Sequence, residues 1–382
     1  MFPNGSPYNK VMRPPSEVAV ESLVDYDPFV RGRFPVGVRT FQLWDEARNR
    51  MFPCEIWYPA AQQHSGEDLA PEKQDLFIVR GGDEPRKQMA VRDAAGQPGI
   101  HPLVIYSHHS GGHRRAATFL CTHLGSHGYV VAGLDHSETI APELASKEGE
   151  TAEQKAARWQ AVIDARVPDT LLLLEHLLSQ ACGPEIEMDA RRIGIVGHSF
   201  GGWTALAAPD FEPRIRAVVA HAPGGSSNPR PGILPGKLHF NWGRDVPTLY
   251  LVAEADTLLP LAGMHEIFER TPATKQMVIL RRADHMHFMD NVEQMHELLR
   301  TMPLSAELAW MQEEMRPIGE LCSGEQAQLL VRGLTLSHLD ATLRQKEEAQ
   351  QFLAGDLEAD LGKRRVEALV AQAMSKPKPT TS

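Results

Sequence analysis

The stretch from Arg192 to Thr204, Arg-Ile-Gly-Ile-Val-Gly-His-Ser-Phe-Gly-Gly-Trp-Thr, constrains this chain more than any other. An apolar β-type run, Ile193 to Val196, leads into Gly197-His198-Ser199-Phe200-Gly201, a G-x-S-x-G pattern, and small residues at helical spacing follow through Ala205, Ala207 and Ala208. Strand, sharp turn and helix in immediate succession describe a serine held in a strained elbow. Its hydroxyl is lifted clear of the backbone, and the glycines two before and two after it allow close packing. Ser199 is therefore the candidate nucleophile. The pattern alone occurs by chance; the flanking strand and helix are the context that its chemistry requires.

An elbow of this kind needs a parallel sheet to stand on, and the rest of the chain supplies one. Short continuous apolar runs at Leu103 to Tyr106, Tyr129 to Leu134, Ala217 to Ala220, Thr248 to Ala253 and Met277 to Leu280 read as strands buried on both faces. Between them, apolar residues fall at helical spacing: Ala116, Phe119, Leu120 and Leu124, then Ala161, Ala165, Leu172, Leu173 and Leu177, then Leu261, Met264, Ile267 and Phe268. Pro168 starts a new turn or a kink within the second set. Val38 to Trp44 and Phe52 to Tyr58 read as an antiparallel hairpin at a sheet edge. The fold class is α/β, with a mostly parallel sheet of eight strands and helices on both faces.

At 382 residues the chain accommodates this as one large domain. Residues 1–34 form a lead-in arm and residues 35–355 the domain. Within it, residues 60–99 make a polar surface excursion, and 137–165 and 223–245 are candidate cap segments. The second of these carries Leu234, Leu238, Phe240 and Trp242, more large apolar groups than an idle loop holds. From Asn291 the pattern is helical to about Ala373, with a capping box at Ser323 to Gln326. Residues 356–382 are read as a helix end and a disordered tail.

The net charge of −10 argues against a nucleic-acid partner. No apolar run is long enough to span a membrane, and the N-terminus shows no basic segment followed by an apolar one, so a cytoplasmic location is expected. The four cysteines, Cys54, Cys121, Cys182 and Cys322, form no C-x-x-C pair, which suggests neither a zinc site nor a disulfide framework. Histidines crowd one region, His108, His109, His113, His123, His127 and His136, but without H-E-x-x-H spacing, so no metal and no cofactor is expected. Self-association is left open.

In a doubly wound sheet the residues that meet a ligand follow the strands' carboxyl ends. Asp256 lies just past the Thr248 to Ala253 strand and His285 just past the Met277 to Leu280 strand, in the chain order serine, acid, histidine. Glu254 is the rival acid, set aside because it is still close to the strand end. Asp284-His285-Met286-His287 offers two histidines, and periodicity does not choose between them. A developing oxyanion needs two backbone N–H donors: Phe200 supplies one, and Ser110, in the glycine-rich turn after Tyr106, the other. His109, Trp203, Phe240 and Trp242 are candidates for the pocket wall.

These residues carry a resemblance to the α/β-hydrolase superfamily, and within it to bacterial relatives of platelet-activating-factor acetylhydrolase, often labelled predicted dienelactone hydrolases. The matching stretches are His101-Pro102-Leu103-Val104-Ile105-Tyr106-Ser107-His108, Gly197 to Gly202, Asp256, and His285-x-x-Phe288-x-Asp290. The resemblance covers roughly residues 35–300 and, more loosely, the C-terminal helices. The family's catalytic histidine begins an H-x-x-F-x-D pattern, and the resemblance therefore implies His285 rather than His287. His108-His109 stands where the family usually has His-Gly, and Ser199 stands where true dienelactone hydrolases carry cysteine. The resemblance implies the α/β-hydrolase fold and a serine carboxylesterase acting on a small-molecule ester with a short to medium acyl group, with Ser199, His285 and Asp256 as its triad. An amidase or peptidase on the same fold, or a non-catalytic binding relative, is the alternative.

Overall fold

The computed structural model describes residues 26–79, 84–136, 147, 149–179, 186–304 and 306–372. Residues 26–34 form no regular element yet are packed down. Phe29 is buried against Gly333, where an added Cβ would lie 2.3 Å from its ring. His123 and His127 reach the Pro28 and Val30 carbonyls at 2.9 and 3.0 Å, holding this segment to the body.

The hairpin forms as expected, β1 (Val36–Asp45) pairing antiparallel with β2 (Arg50–Pro59) through the Asp45↔Arg50 register. The polar excursion does more than run over the surface. It carries β3 (Asp75–Ile78) and β4 (Pro85–Gln88), which pair with each other, and β5 (Val91–Arg92), which adds a parallel edge to β1. Polar groups stitch it down: Asp68, buried, accepts from the Val36 N–H at 2.8 Å, and Trp57 Nε1 donates to Gln88 Oε1 at 2.7 Å. Buried groups that satisfy one another in pairs leave no apolar period to read.

The remaining strands are β6 (Gly99–Ser107), β7 (Val130–Leu134), β8 (Ile186–His198), β9 (Ile215–His221), β10 (Thr248–Ala253), β11 (Lys275–Leu280) and β12 (Ala368–Gln372). The main sheet has the order β12-β11-β10-β9-β8-β6-β7-β2-β1-β5, with β6 to β11 mutually parallel. All eight expected strands are present, but the sheet has ten, because β5 and β12 extend its two edges. The C-terminal stretch is accordingly not helical to Ala373: Ala368–Gln372 turns back and pairs antiparallel along β11. An uncovered β11 edge would expose a row of unpaired backbone groups, and a run this short does not reveal its period.

Among the described residues the helices are α1 (Thr118–Ser126), α2 (Ala152–Ser179), α3 (Phe200–Ala207), α4 (Leu261–Arg270), α5 (Val292–Thr301), α6 (Ala309–Glu314), α7 (Gly324–Leu343), α8 (Glu347–Ala354) and α9 (Leu357–Lys363). On one sheet face α2, α3 and α4 bury Leu173, Leu177, Leu206 and Ile267 against Ile195, Val218 and Val252. On the other, α1 and α7 bury Leu120, Leu124, Leu334 and Leu339 against Val104, Val196 and Val219. The capping box expected at Ser323 forms with Gln326, and α2 runs through Pro168 without ending. Residues 152–165 of the first candidate cap are thus the start of α2; residues 137–146, Cys182 and the tail beyond Gln372 lie outside the described residues. Cys54, Cys121 and Cys322 are buried free thiols. Among the described residues no helix is long and apolar enough to cross a membrane.

Asp340 on α7 ties this second layer to the strands and to the arm. Its buried carboxylate accepts from Tyr129 Oη at 2.9 Å and Tyr26 Oη at 3.3 Å and pairs with Arg344 at 3.1 Å and Lys346 at 2.8 Å. Asp340→Ala is expected to cost about 2–3 kcal/mol, since it leaves a buried phenol and a half-buried guanidinium without their acceptor. Chemical denaturation of the two proteins measures this, and an unchanged midpoint would refute it.

Candidate active site

Ser199 sits between the last residue of β8 and the first of α3, at φ +58° and ψ −116°. That is a costly conformation for a residue with a Cβ, and it persists because its surroundings hold it. The Ser199 N–H donates to the His221 carbonyl at 2.9 Å, and the Ser199 carbonyl accepts from Trp203 and Gly224 at 2.9 and 3.0 Å. The two flanking glycines are required by contact. A Cβ at Gly197 would lie 2.1 Å from the Gly201 carbonyl oxygen, and one at Gly201 would lie 1.9 Å from that of Ser107.

The loops after β10 and β11 bring Asp256 and His285 together. His285 Nδ1 donates to Asp256 Oδ2 at 2.8 Å, and Asp256 Oδ1 accepts from the Leu259 N–H at 2.7 Å. With Nδ1 donating, Nε2 is left as the nitrogen able to take a proton. Burial disfavours the imidazolium, yet the charge and hydrogen bond of Asp256, together with the charge of Asp284, outweigh it and hold the His285 pKa above its ordinary value. Burial pushes the Asp256 carboxyl up, with His285 opposing.

The rivals are engaged elsewhere. Glu254 pairs with Arg281 at 3.2 Å and accepts from the Arg282 N–H at 3.0 Å, while His287 lies against the Asp284 backbone and, at 3.1 Å, the Cys322 carbonyl. Sequence reasoning missed Asp284 and His198. Asp284 accepts from the N–H of both Thr257 and His285, at 2.8 and 2.6 Å, locking the acid's loop to the histidine's. Its signal was an aspartate directly before a one-turn helix, the capping position. His198 Nε2 donates to the His285 carbonyl at 2.9 Å, which ties the elbow to the same loop. Asp290, the end of the H-x-x-F-x-D pattern, accepts from the Thr118 N–H at 2.7 Å and the Phe119 N–H at 3.2 Å at the start of α1.

Ser199 and His285 line one cavity of about 510 Å³, which Ser110 and Phe200 also line. Phe200 opens α3, so its N–H has no acceptor within the helix. His109 and Trp203 are in the cavity wall. Phe240 and Trp242 do not line the cavity. They pack edge to face at 5.6 Å, and Arg270 of α4 covers the Phe240 ring while donating to the Leu238 carbonyl at 2.8 Å, which draws that part of the loop onto α4 and away from the mouth. The wall is made instead by Ile233 and Leu234, by Leu298 and Leu299 of α5, and by Leu308 and Met311. Lys155 of α2 and Glu307, both on the rim, pair at 2.7 Å.

Behind the loop after β6 lies a buried polar cluster. Arg166 of α2, fully buried, donates to the His108 carbonyl at 2.7 Å and to Ser107 Oγ at 3.1 Å. Ser107 Oγ meets His136 Nε2 at 3.1 Å, His136 Nδ1 meets Asp169 Oδ2 at 3.2 Å, and Arg48 closes on Asp169 Oδ1 at 2.5 Å. Burial keeps His136 neutral, so Nδ1–H donates to Asp169 and Nε2 accepts the Ser107 hydroxyl proton. Burial pulls the Arg166 guanidinium down to about 9, which leaves it cationic at neutral pH.

Comparison with known proteins agrees with this architecture. A solved ferulic acid esterase from Streptomyces cinnamoneus superposes with a TM-score of 0.56 at 24% identity, covering 82% of this chain and 92% of that one, and so shares the fold. Cutinase est1 of Thermobifida alba is 24% identical over 226 residues, 57% of this chain and 64% of that protein. A platelet-activating factor acetylhydrolase of Gallus gallus is 22% identical over 250 residues, 53% of this chain and 56% of that protein. The chain thus spans less than two thirds of these curated relatives. The family model for platelet-activating factor acetylhydrolase, isoform II, matches residues 26–181. The PET hydrolase-like model matches residues 112–332, which is more than half of the chain and includes Ser199, Asp256 and His285; with its α/β-hydrolase fold, the chain belongs to the PET hydrolase-like family.

Proposed function

We propose that the protein is a serine carboxylesterase, with Ser199 as nucleophile, His285 as general base and Asp256 as the group that orients it. The observation that carries the reading is the pairing of His285 Nδ1 with buried Asp256 at 2.8 Å beside a serine held at φ +58° in the same cavity. His285 Nε2 takes the Ser199 proton as Oγ attacks the ester carbonyl. The N–H groups of Phe200 and Ser110 stabilise the tetrahedral oxyanion. Collapse gives the alcohol, which leaves with that proton, and an acyl-enzyme; water activated by His285 then releases the acid and restores Ser199. The names of the relatives, cutinase, platelet-activating factor acetylhydrolase and ferulic acid esterase, support ester chemistry. The apolar wall of Leu298, Leu299 and Leu308 suits a short to medium acyl chain.

Labelling with a fluorophosphonate probe, combined with a p-nitrophenyl ester series of increasing chain length, tests the proposal. Wild type is expected to label and to turn over esters, and Ser199→Ala to lose labelling and about 10⁴-fold or more in kcat. Failure of the wild type to label or to hydrolyse any ester would sink the proposal, and faster turnover of the matching anilides would move it to an amidase.

The pH profile follows from the charges. Catalysis needs neutral His285, so kcat/KM rises with pH through the imidazole pKa, which Asp256 holds above the usual range. Asp256→Asn removes that charge while burial remains, so the acidic limb is expected to shift to lower pH and kcat to fall by about 10⁴-fold. A limb that stays put in this variant would show that Asp256 does not set the His285 pKa.

A further inference from the structure

Besides the candidate triad, the chain holds a second serine, histidine and aspartate in contact, Ser107, His136 and Asp169. Ser107 and Asp169 are fully buried and neither lines the cavity, so this set cannot meet a substrate. What it does touch is Arg166. The Ser107 hydroxyl, its own proton directed to His136, presents a lone pair to Arg166 Nη1 at 3.1 Å. The guanidinium then spans two structures at once. Its fork reaches the His108 carbonyl at 2.7 Å and the His109 carbonyl at 3.4 Å, and its carbon lies 4.4 Å from the centre of the Phe200 ring.

The His109–Ser110 peptide and Phe200 carry the two proposed oxyanion donors. The His109–Ser110 peptide is planar and trans, so its carbonyl and the Ser110 N–H point in opposite directions within one rigid plane. The His109 oxygen also accepts from His108 Nδ1 at 2.7 Å and from the Gly112 N–H at 3.1 Å, and Arg166 adds a third donor behind it at 3.4 Å; held there, it aims the Ser110 N–H forward. The ring contact seats the side chain of Phe200, the first residue of α3, whose N–H is the other donor. A cation at the oxygen end of the peptide also polarises it, making its N–H a stronger donor. Among the described residues no carboxylate pairs directly with Arg166, so its charge is not cancelled in contact.

We propose that Arg166 is a positioning residue of the proposed esterase site, a strut whose planar fork fixes the Ser110 and Phe200 N–H donors relative to each other, with Ser107, His136, Asp169 and Arg48 setting its orientation. The inference rests on the esterase reading. A group acting only on the oxyanion alters the transition state and leaves ground-state ester binding alone.

The test compares full-length wild type, Arg166→Met and Arg166→Lys. Four quantities are read: kcat and KM for p-nitrophenyl butyrate, the inhibition constant of a trifluoromethyl ketone of matching chain length, which forms an oxyanion on addition of Ser199, and the thermal midpoint. Both variants are expected to lose about 100-fold in kcat with KM within about threefold, and to bind the ketone more weakly by a similar factor. Lysine fails with methionine because an ammonium is a point charge that cannot span two carbonyls and a ring. If Arg166→Met does not fold, Arg166→Lys alone decides. A folded variant that keeps kcat and ketone affinity within about threefold of wild type overturns the strut, as does a loss confined to the folded fraction with kcat per active site unchanged. A wild type inert toward both ester and ketone fails the esterase reading itself, and is thereby distinguished from failure of the strut.

Discussion

The contact on which the rest depends is between two pieces of backbone. The α carbon of Gly201, in the first turn of α3, packs so closely on the end of β6 that an added Cβ would lie 1.9 Å from the Ser107 carbonyl oxygen. Ser107 pairs in register with Gly197 across β6 and β8, so the two strands end level, one in the elbow and the other in the oxyanion loop. Close approach and level ends together put Ser199, Phe200 and Ser110 around one mouth. Any side chain at Gly201 would lift the helix and open the distance between the serine and its opposing loop.

The molecule holds several buried carboxylates in networks of partners. Burying a charge is costly unless it is paired and hydrogen-bonded. Asp256 holds His285, Asp169 holds Arg48 and His136, Glu55 is surrounded by Arg92, Arg114 and Arg115, and Asp340 gathers Arg344 and Lys346. Each network joins elements far apart in sequence, so each fixes a loop or a layer that apolar packing alone would leave free to slide. The cavity is the counterpart, walled largely by leucine, isoleucine and methionine, with Ser199, His285, Ser110 and His109 and the Lys155–Glu307 pair also in its lining.

Much of this was legible before any coordinates. Continuous apolar runs marked the central strands because a strand covered on both faces needs no alternation. The elbow was legible because G-x-S-x-G between strand and helix is a steric necessity, and the Gly197 and Gly201 contacts are that necessity. Asp256 followed from its place just past β10. The choice of His285 over His287 came from a family pattern and was then matched by geometry, since His285 alone of the two meets Asp256. The pocket wall was harder. Phe240 and Trp242 lie outside the cavity lining, Phe240 under Arg270 of α4, and the groups that line the cavity include Leu298 and Leu299 of α5, which the sequence shows only as part of a C-terminal helical stretch.

The sequence by itself determined the central strands, the helices that cover them, their order and the chemistry of the elbow, because periodicity and glycine spacing are properties of neighbouring residues. The tertiary structure decided everything that depends on residues meeting from a distance: that β12 closes the sheet edge, that α5 walls the cavity, and that Arg166 lies behind both candidate oxyanion donors. No local pattern encodes those contacts. They follow from which faces are left uncovered once the sheet has formed, and from which buried polar groups then find one another.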